Sequence, residues 1–140
     1  MDRSLIEQKL ESLRRALHRV AEKCPMDADV LANDYDTQDI VALNLTRAVQ
    51  LCVDIGAHLI ADNEFPPPDT MGQVFDILNK AGFIDSGLAI RMKKAVGFRN
   101  LAVHNYETIN WAIVHAIARY GLVDFAEFAQ AVVKVLNNNT

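Results

Sequence analysis

"SLIEQKLESLRRALHRVAEKCP", residues Ser4 to Pro25, settles the fold class. Ile6, Leu10, Leu13, Leu17, Val20 and Cys24 follow one another at alternating intervals of four and three. That spacing brings apolar side chains onto one face of a helix, whereas a strand would alternate them at every second position. Charged residues fill the intervals and would lie on the opposite face. Ser4 and Glu7, three apart, have the spacing of a capping box and mark the start. Pro25 marks the end, since it has no amide hydrogen to continue the ladder.

Working outward, the same pattern returns. Residues 26 to 36 are acidic and polar and read as a loop, with Asp36 as the cap of a second helix from about Thr37 to Asp62. Ile40, Leu43, Ala48, Leu51, Ile55 and Leu59 are among that helix's apolar positions. Pro66, Pro67 and Pro68 impose an extended turn, and Thr70 with Gln73 forms another capping box. It opens a short helix through Val74, Ile77 and Leu78 that ends near Gly82. Asp85 or Ser86 caps a segment carrying Leu88, Met92 and Ala95. A further stretch, Ile109, Ala112, Ile113, Ala116, Ile117 and Tyr120, closes at Gly121. Asp124 and Glu127 cap the last helix, with Val123 and Phe128 placed as a hydrophobic staple, and Asn137 to Thr140 are expected to fray. No Val/Ile/Thr-rich alternating run is bounded by turns, so strands are not expected. Short connections between long helices predict an all-α, up-and-down bundle of five to six helices, formed by one domain over residues 1–140.

With 140 residues, 51% of them apolar and 23% charged, the chain is long enough to bury a substantial core. No stretch approaches the roughly twenty uncharged apolar residues of a membrane span, and the N-terminal Met-Asp-Arg-Ser leads straight into a charged periodic segment rather than a signal peptide. Cys24 and Cys52 each fall in apolar patterning and read as buried thiols of a reducing compartment, so a cytoplasmic location is expected. Net charge is −4, but it is unevenly placed. From Asp27 to Asp76 ten acids face a single base, Arg47. From Lys80 to Tyr106 the balance reverses: Lys80, Arg91, Lys93, Lys94 and Arg99 face only Asp85. Such a local basic field can attract a polyanion to an acidic molecule, although most such runs are solvated helix faces.

That basic run leads into "GFRNLAVHNYETIN", residues Gly97 to Asn110, which holds Arg99, His104 and Tyr106 within eight positions. On an unbroken helix Arg99 and Tyr106 would lie within about 20° of each other, with His104 about 140° from Arg99. Arg99 continues the apolar stripe of Leu88, Met92 and Ala95, where a guanidinium requires a partner. Arg99 and His104 can converge if the helix breaks around Gly97 to Asn100, or if a second subunit contributes its own copy. The chemistry suits phosphodiester cleavage. Arginine presents a fork of donors matched to phosphate, histidine exchanges protons near neutral pH, and tyrosine can bond phosphate, stack on a base or act as nucleophile. RNA carries its own 2′-hydroxyl nucleophile, so neither metal nor cofactor is required.

"RNLAVHNY" resembles the Arg-x4-His-x-Tyr motif of HepT-type toxins, all-helical ribonucleases of the HEPN superfamily. The likeness extends over nearly the whole chain: "LNLTRAVQLCVDIGAHLI" resembles the family's long polar-striped helix, "FPPPDTMGQVFDILNKAGFI" its proline turn and third helix, and "LAIRMKKAVGFRN" the lead-in to the motif. The resemblance implies a homodimer with facing motif copies in an interfacial cleft. It also implies metal-independent RNA cleavage and neutralisation by a minimal nucleotidyltransferase, the MNT antitoxin, in a type VII toxin–antitoxin system. Arg99 and His104 would then be the catalytic pair, and Tyr106 would help position substrate and receive AMP from the antitoxin. AMP there would add charge and bulk to an RNA-binding cleft.

On the second helix Arg47, Gln50, Asp54 and His58 form a polar stripe. Together with Asn100 they are candidate cleft supports, Asp54 orienting His58 or meeting Arg99; the other reading of the stripe is a buried network or dimer seam. His18 and His115 read as surface or satisfied interior residues, and Trp111, Phe125 and Phe128 as core or interface. Two rival functions remain: a non-catalytic subunit holding nucleotide or substrate for a nucleotidyltransferase, and a purely structural dimerisation module.

Overall fold

The computed structural model describes residues 2–138. Its α-helices are α1 (Arg3–Lys23), α2 (Ala28–Ala32), α3 (Tyr35–Asp62), α4 (Met71–Lys80), α5 (Ser86–His104), α6 (Trp111–Ala116) and α7 (Leu122–Asn138). A single 3-10 turn, Tyr106–Thr108, follows α5. No strand occurs among the described residues.

The apolar stripe of α1 faces inward as its spacing requires, with Ile6, Leu13, Val20 and Cys24 buried. It packs along α3, the axis of the bundle, whose buried residues run from Gln38 to Ile60. A window of α3 is long and apolar enough to cross a membrane, but 56% of it is buried inside the bundle. Helices α4 and α5 pack on each other and on α3, and α7 closes the core with Phe128 set edge-on to Phe75 at 5.6 Å. Close approach of α4 depends on Gly56, because a Cβ there would collide with Val74 of α4.

Several ends differ from the expectations. Asp2, not Ser4, caps α1 by accepting from the Leu5 amide, and Glu7 instead pairs with Arg3 at 2.8 Å. The acidic loop contains α2, capped by Asp27, and Asp34 rather than Asp36 caps α3. Thr70 caps α4 as expected, while Gln73 reaches back to the amide of Asp69. Asp85 caps α5.

No break separates the last two segments. The backbone passes from α6 through a wide π-helical turn, Ile117–Gly121, directly into α7. Counting that rod once gives six helices. Asp124 and Glu127 therefore do not cap an end; both accept from Arg91 of α5, each at 2.8 Å. Val123 is 56% exposed and forms no staple. Asn137 and Asn138, expected to fray, are helical, with Asn137 accepting from Arg3 at 3.0 Å; residues 139–140 lie outside the described residues.

Both cysteines are free and buried, and burial raises both thiol pKa values. His115 is buried but satisfied, its Nε2 bonding the Pro25 carbonyl at 2.8 Å, whereas His18 is exposed beside Glu22.

Candidate active site

Helix α5 is continuous from Ser86 to His104, so the first of the two devices for convergence is absent. Neither Gly97 nor Asn100 interrupts it. On this rod the His104 side chain leaves the axis about 140° around from Arg99 and about 7.5 Å further along. Within one protomer they occupy different faces.

Arg99 is half-buried, and its environment is incomplete. Nη1 donates to Asn100 Oδ1 at 3.2 Å. Nε is buried and has no hydrogen-bond partner among the described residues. No carboxylate among them lies within ion-pair distance of this guanidinium. A shielded donor of this kind costs roughly 1–3 kcal/mol until an acceptor arrives. His104 is exposed at the C-terminus of α5, where Asn105 leaves helical geometry and turns the chain into Tyr106–Thr108.

That turn fixes Tyr106. Its ring meets Trp111 edge-on at 5.7 Å, and its hydroxyl donates to Asp39 Oδ1 of α3 at 2.6 Å. Burial, followed by the bond to Asp39, pushes the phenol pKa well above its ordinary value. Beside it lies an open cavity of about 240 Å³, lined by Asp39, Leu43, Thr46, Val103 and Tyr106 among others. Leu43 and Val103 are each 50% exposed, so the surface next to the motif is apolar.

The polar stripe on α3 is placed differently. Arg47, Gln50 and Asp54 line a larger groove of about 620 Å³ between α1 and α3, together with Arg15 and Arg19. Asp54 accepts from Gln50 at 2.9 Å and faces Lys9 at 3.8 Å; it contacts neither His58 nor Arg99. Within one protomer no hydrogen bond or ion pair among the described residues joins Arg47, Asp54 or His58 to Arg99, His104 or Tyr106. The groove and the Tyr106 cavity meet at Leu43, which lines both.

The basic lead-in is also weaker than its count. Arg91 is neutralised by Asp124 and Glu127, and Lys93 by Asp76 at 3.1 Å. Lys80, Lys94 and Arg99 retain their charge without an ion-pair partner among the described residues. Sequence reading missed Asp39 altogether; it is one of ten acids between Asp27 and Asp76, and nothing local distinguishes it. Trp111 was assigned to core or interface without its role as the wall against the Tyr106 ring.

Comparison with known proteins identifies the family. Residues 13–132 match the family described as "Ribonuclease HepT-like". The chain is 30% identical over 128 residues to the mRNA nuclease HepT of Shewanella oneidensis, covering 91% of this chain and 96% of that one. The fold superimposes on a crystal structure of a toxin–antitoxin with AMP-PNP at a TM-score of 0.88 and 30% identity, covering 94% of this chain and 98% of that chain. It likewise matches a tri-AMPylated Shewanella oneidensis HEPN toxin in complex with MNT antitoxin, at a TM-score of 0.87 and 31% identity over 96% and 99% of the two chains. With a helical bundle, an Arg-x4-His-x-Tyr motif at the end of α5, and a family match spanning most of its length, the chain belongs to the HepT-like ribonuclease family.

Proposed function

We propose that this protein is the ribonuclease toxin of a toxin–antitoxin pair, a homodimer that cleaves RNA with Arg99 and His104 and is silenced when its antitoxin transfers AMP to Tyr106. One observation carries the proposal: a guanidinium unclaimed by any carboxylate among the described residues, its Nε buried and without a hydrogen-bond partner among them, five residues before an exposed imidazole at the end of the same helix. The exposed apolar residues Leu43, Leu101 and Val103 near the motif offer a surface for a second subunit. Across a two-fold axis, Arg99 of one protomer can meet His104 of the other, which one continuous helix cannot achieve alone.

In this mechanism His104 takes the proton of a ribose 2′-hydroxyl. The oxygen attacks the adjacent phosphorus, the 5′-oxygen of the next nucleotide leaves, and a 2′,3′-cyclic phosphate remains. Arg99 stabilises charge on the equatorial oxygens of the transition state, and Asn100 holds the guanidinium orientation. No step requires a metal. AMP on Tyr106 would place a negatively charged diester beside the cleft and oppose RNA by charge and bulk.

The relatives support the assignment: one is named an mRNA nuclease, and another is an AMPylated toxin in complex with its antitoxin. Cleavage of a defined RNA by purified protein in the presence of EDTA tests it. His104→Ala should reduce the rate by about 10²–10⁴, and Arg99→Ala by about 10²–10³, with the helical fold retained. Wild-type rates in both variants would reject the active-site assignment.

A further inference from the structure

We propose that Asp39 is the general base for nucleotidylation of Tyr106, so that the toxin itself supplies a catalytic carboxylate for its own silencing. This rests on the reading that Tyr106 receives AMP. The hydroxyl that would become the nucleophile donates to Asp39 Oδ1 at 2.6 Å, a length typical of a charge-assisted O–H···O bond. No other residue among those described accepts from it.

The contact joins residues 67 positions apart in sequence and is held from several sides. Asp39 sits on the N-terminal part of α3, the rigid axis of the bundle. The Tyr106 turn is closed by the Thr108 hydroxyl on the Asn105 carbonyl at 2.9 Å and by the Ile109 amide on the Tyr106 carbonyl at 3.1 Å. Trp111 fixes the ring from its edge. The pair opens onto the cavity of about 240 Å³, leaving an approach for a phosphate to the hydroxyl oxygen.

The chemistry needs this base. A phenol is protonated at neutral pH, and burial together with the charges of Asp39 and Glu107 makes free tyrosinate less accessible still. The proton must therefore leave as the new bond forms. With a nucleoside triphosphate as donor, the bond between Tyr106 Oη and the α-phosphorus forms while the bond from that phosphorus to the β-bridging oxygen breaks. Pyrophosphate departs with that electron pair, and the phenolic proton passes to Asp39 Oδ1 and then to water. Protonation of Asp39 during transfer also removes its repulsion of the incoming phosphate.

The test uses the full-length toxin with its antitoxin, ATP and Mg²⁺, following transfer by intact mass and locating AMP by peptide mapping. Asp39→Asn keeps the shape and an oxygen that accepts the hydrogen bond, yet it cannot take the proton. The kcat of the antitoxin on this variant should fall about 10²-fold, with the KM for the toxin unchanged, and Asp39→Glu should recover part of the loss. Wild-type kcat in Asp39→Asn, or a loss residing in KM that glutamate does not rescue, overturns the proposal while leaving Tyr106 as the acceptor. A wild-type protein whose AMP maps elsewhere, or that gains none, instead overturns the underlying reading and this proposal with it.

Discussion

Because α5 is unbroken, the proposed site combining Arg99 with His104 should be composite, and mixing two dead variants should revive it. Arg99→Ala and His104→Ala homodimers each lack one group at both sites. In a mixed dimer the His104→Ala protomer supplies Arg99 and the Arg99→Ala protomer supplies His104, which restores one complete pair and leaves the other empty. Random reassortment makes half of the dimers mixed, each with one of two sites intact, so an equimolar mixture should reach about a quarter of the wild-type rate. Mixed dimers isolated through two different affinity tags should reach about half. The contrast is sharp because a site built within one chain predicts no recovery: neither protomer would carry both groups. The assay is cleavage of a fluorogenic RNA after co-refolding, with the dimer fraction measured by light scattering. Activity of the purified mixed dimer no higher than that of its parents would refute the reasoning from helix continuity.

Gly56→Ala should destabilise the fold. Overpacking against Val74 and Leu78 costs about 1–3 kcal/mol, whereas alanine returns up to about 1 kcal/mol of helix propensity; a lowered thermal midpoint, partly rescued by Val74→Ala, is the expected result. Cys52, fully buried with its thiol held protonated, should resist alkylation in native protein at pH 8 and react fully in denaturant, as mass spectrometry will show. In alkaline difference spectra Tyr106 should ionise above the ordinary tyrosine range, and Asp39→Asn should lower its titration by removing an adjacent negative charge. Since the folded pKa is the raised one, Tyr106 contributes its stability fully below about pH 10, the unfolded pKa, and loses it as pH rises toward the folded value. Tyr106→Phe should accordingly flatten the alkaline limb of the stability curve.

The helical rods were legible because three-and-four spacing is a property of the chain itself, and α1 shows it in undiluted form. Their ends were less so. Ser4 and Glu7 have the spacing of a capping box, but Asp2 competes for the cap and Arg3 for the glutamate. Gly121 looks like a terminator, yet its backbone does not take the left-handed conformation that Gly82 adopts at φ +80°, so the rod runs on. The motif was readable through its resemblance to a family pattern, and the basic lead-in only partly, since the carboxylates that cancel Arg91 and Lys93 come from α4 and α7. Asp39 was invisible because its importance is created by a contact 67 positions away.

The wide turn at Ile117–Gly121 gives the C-terminal rod two independent phases. Ahead of it, the rod opens at Trp111, the neighbour of the Tyr106 ring; behind it, Phe125, Phe128 and Val132 face the core. Rewinding that turn as regular α-helix, with all five residues kept, would rotate everything downstream about the axis by several tens of degrees. Those aromatic side chains would swing toward solvent, or else Trp111 would be pulled off Tyr106. The looser coil thus lets one rod answer two sets of neighbours whose angular demands a uniform helix could not reconcile.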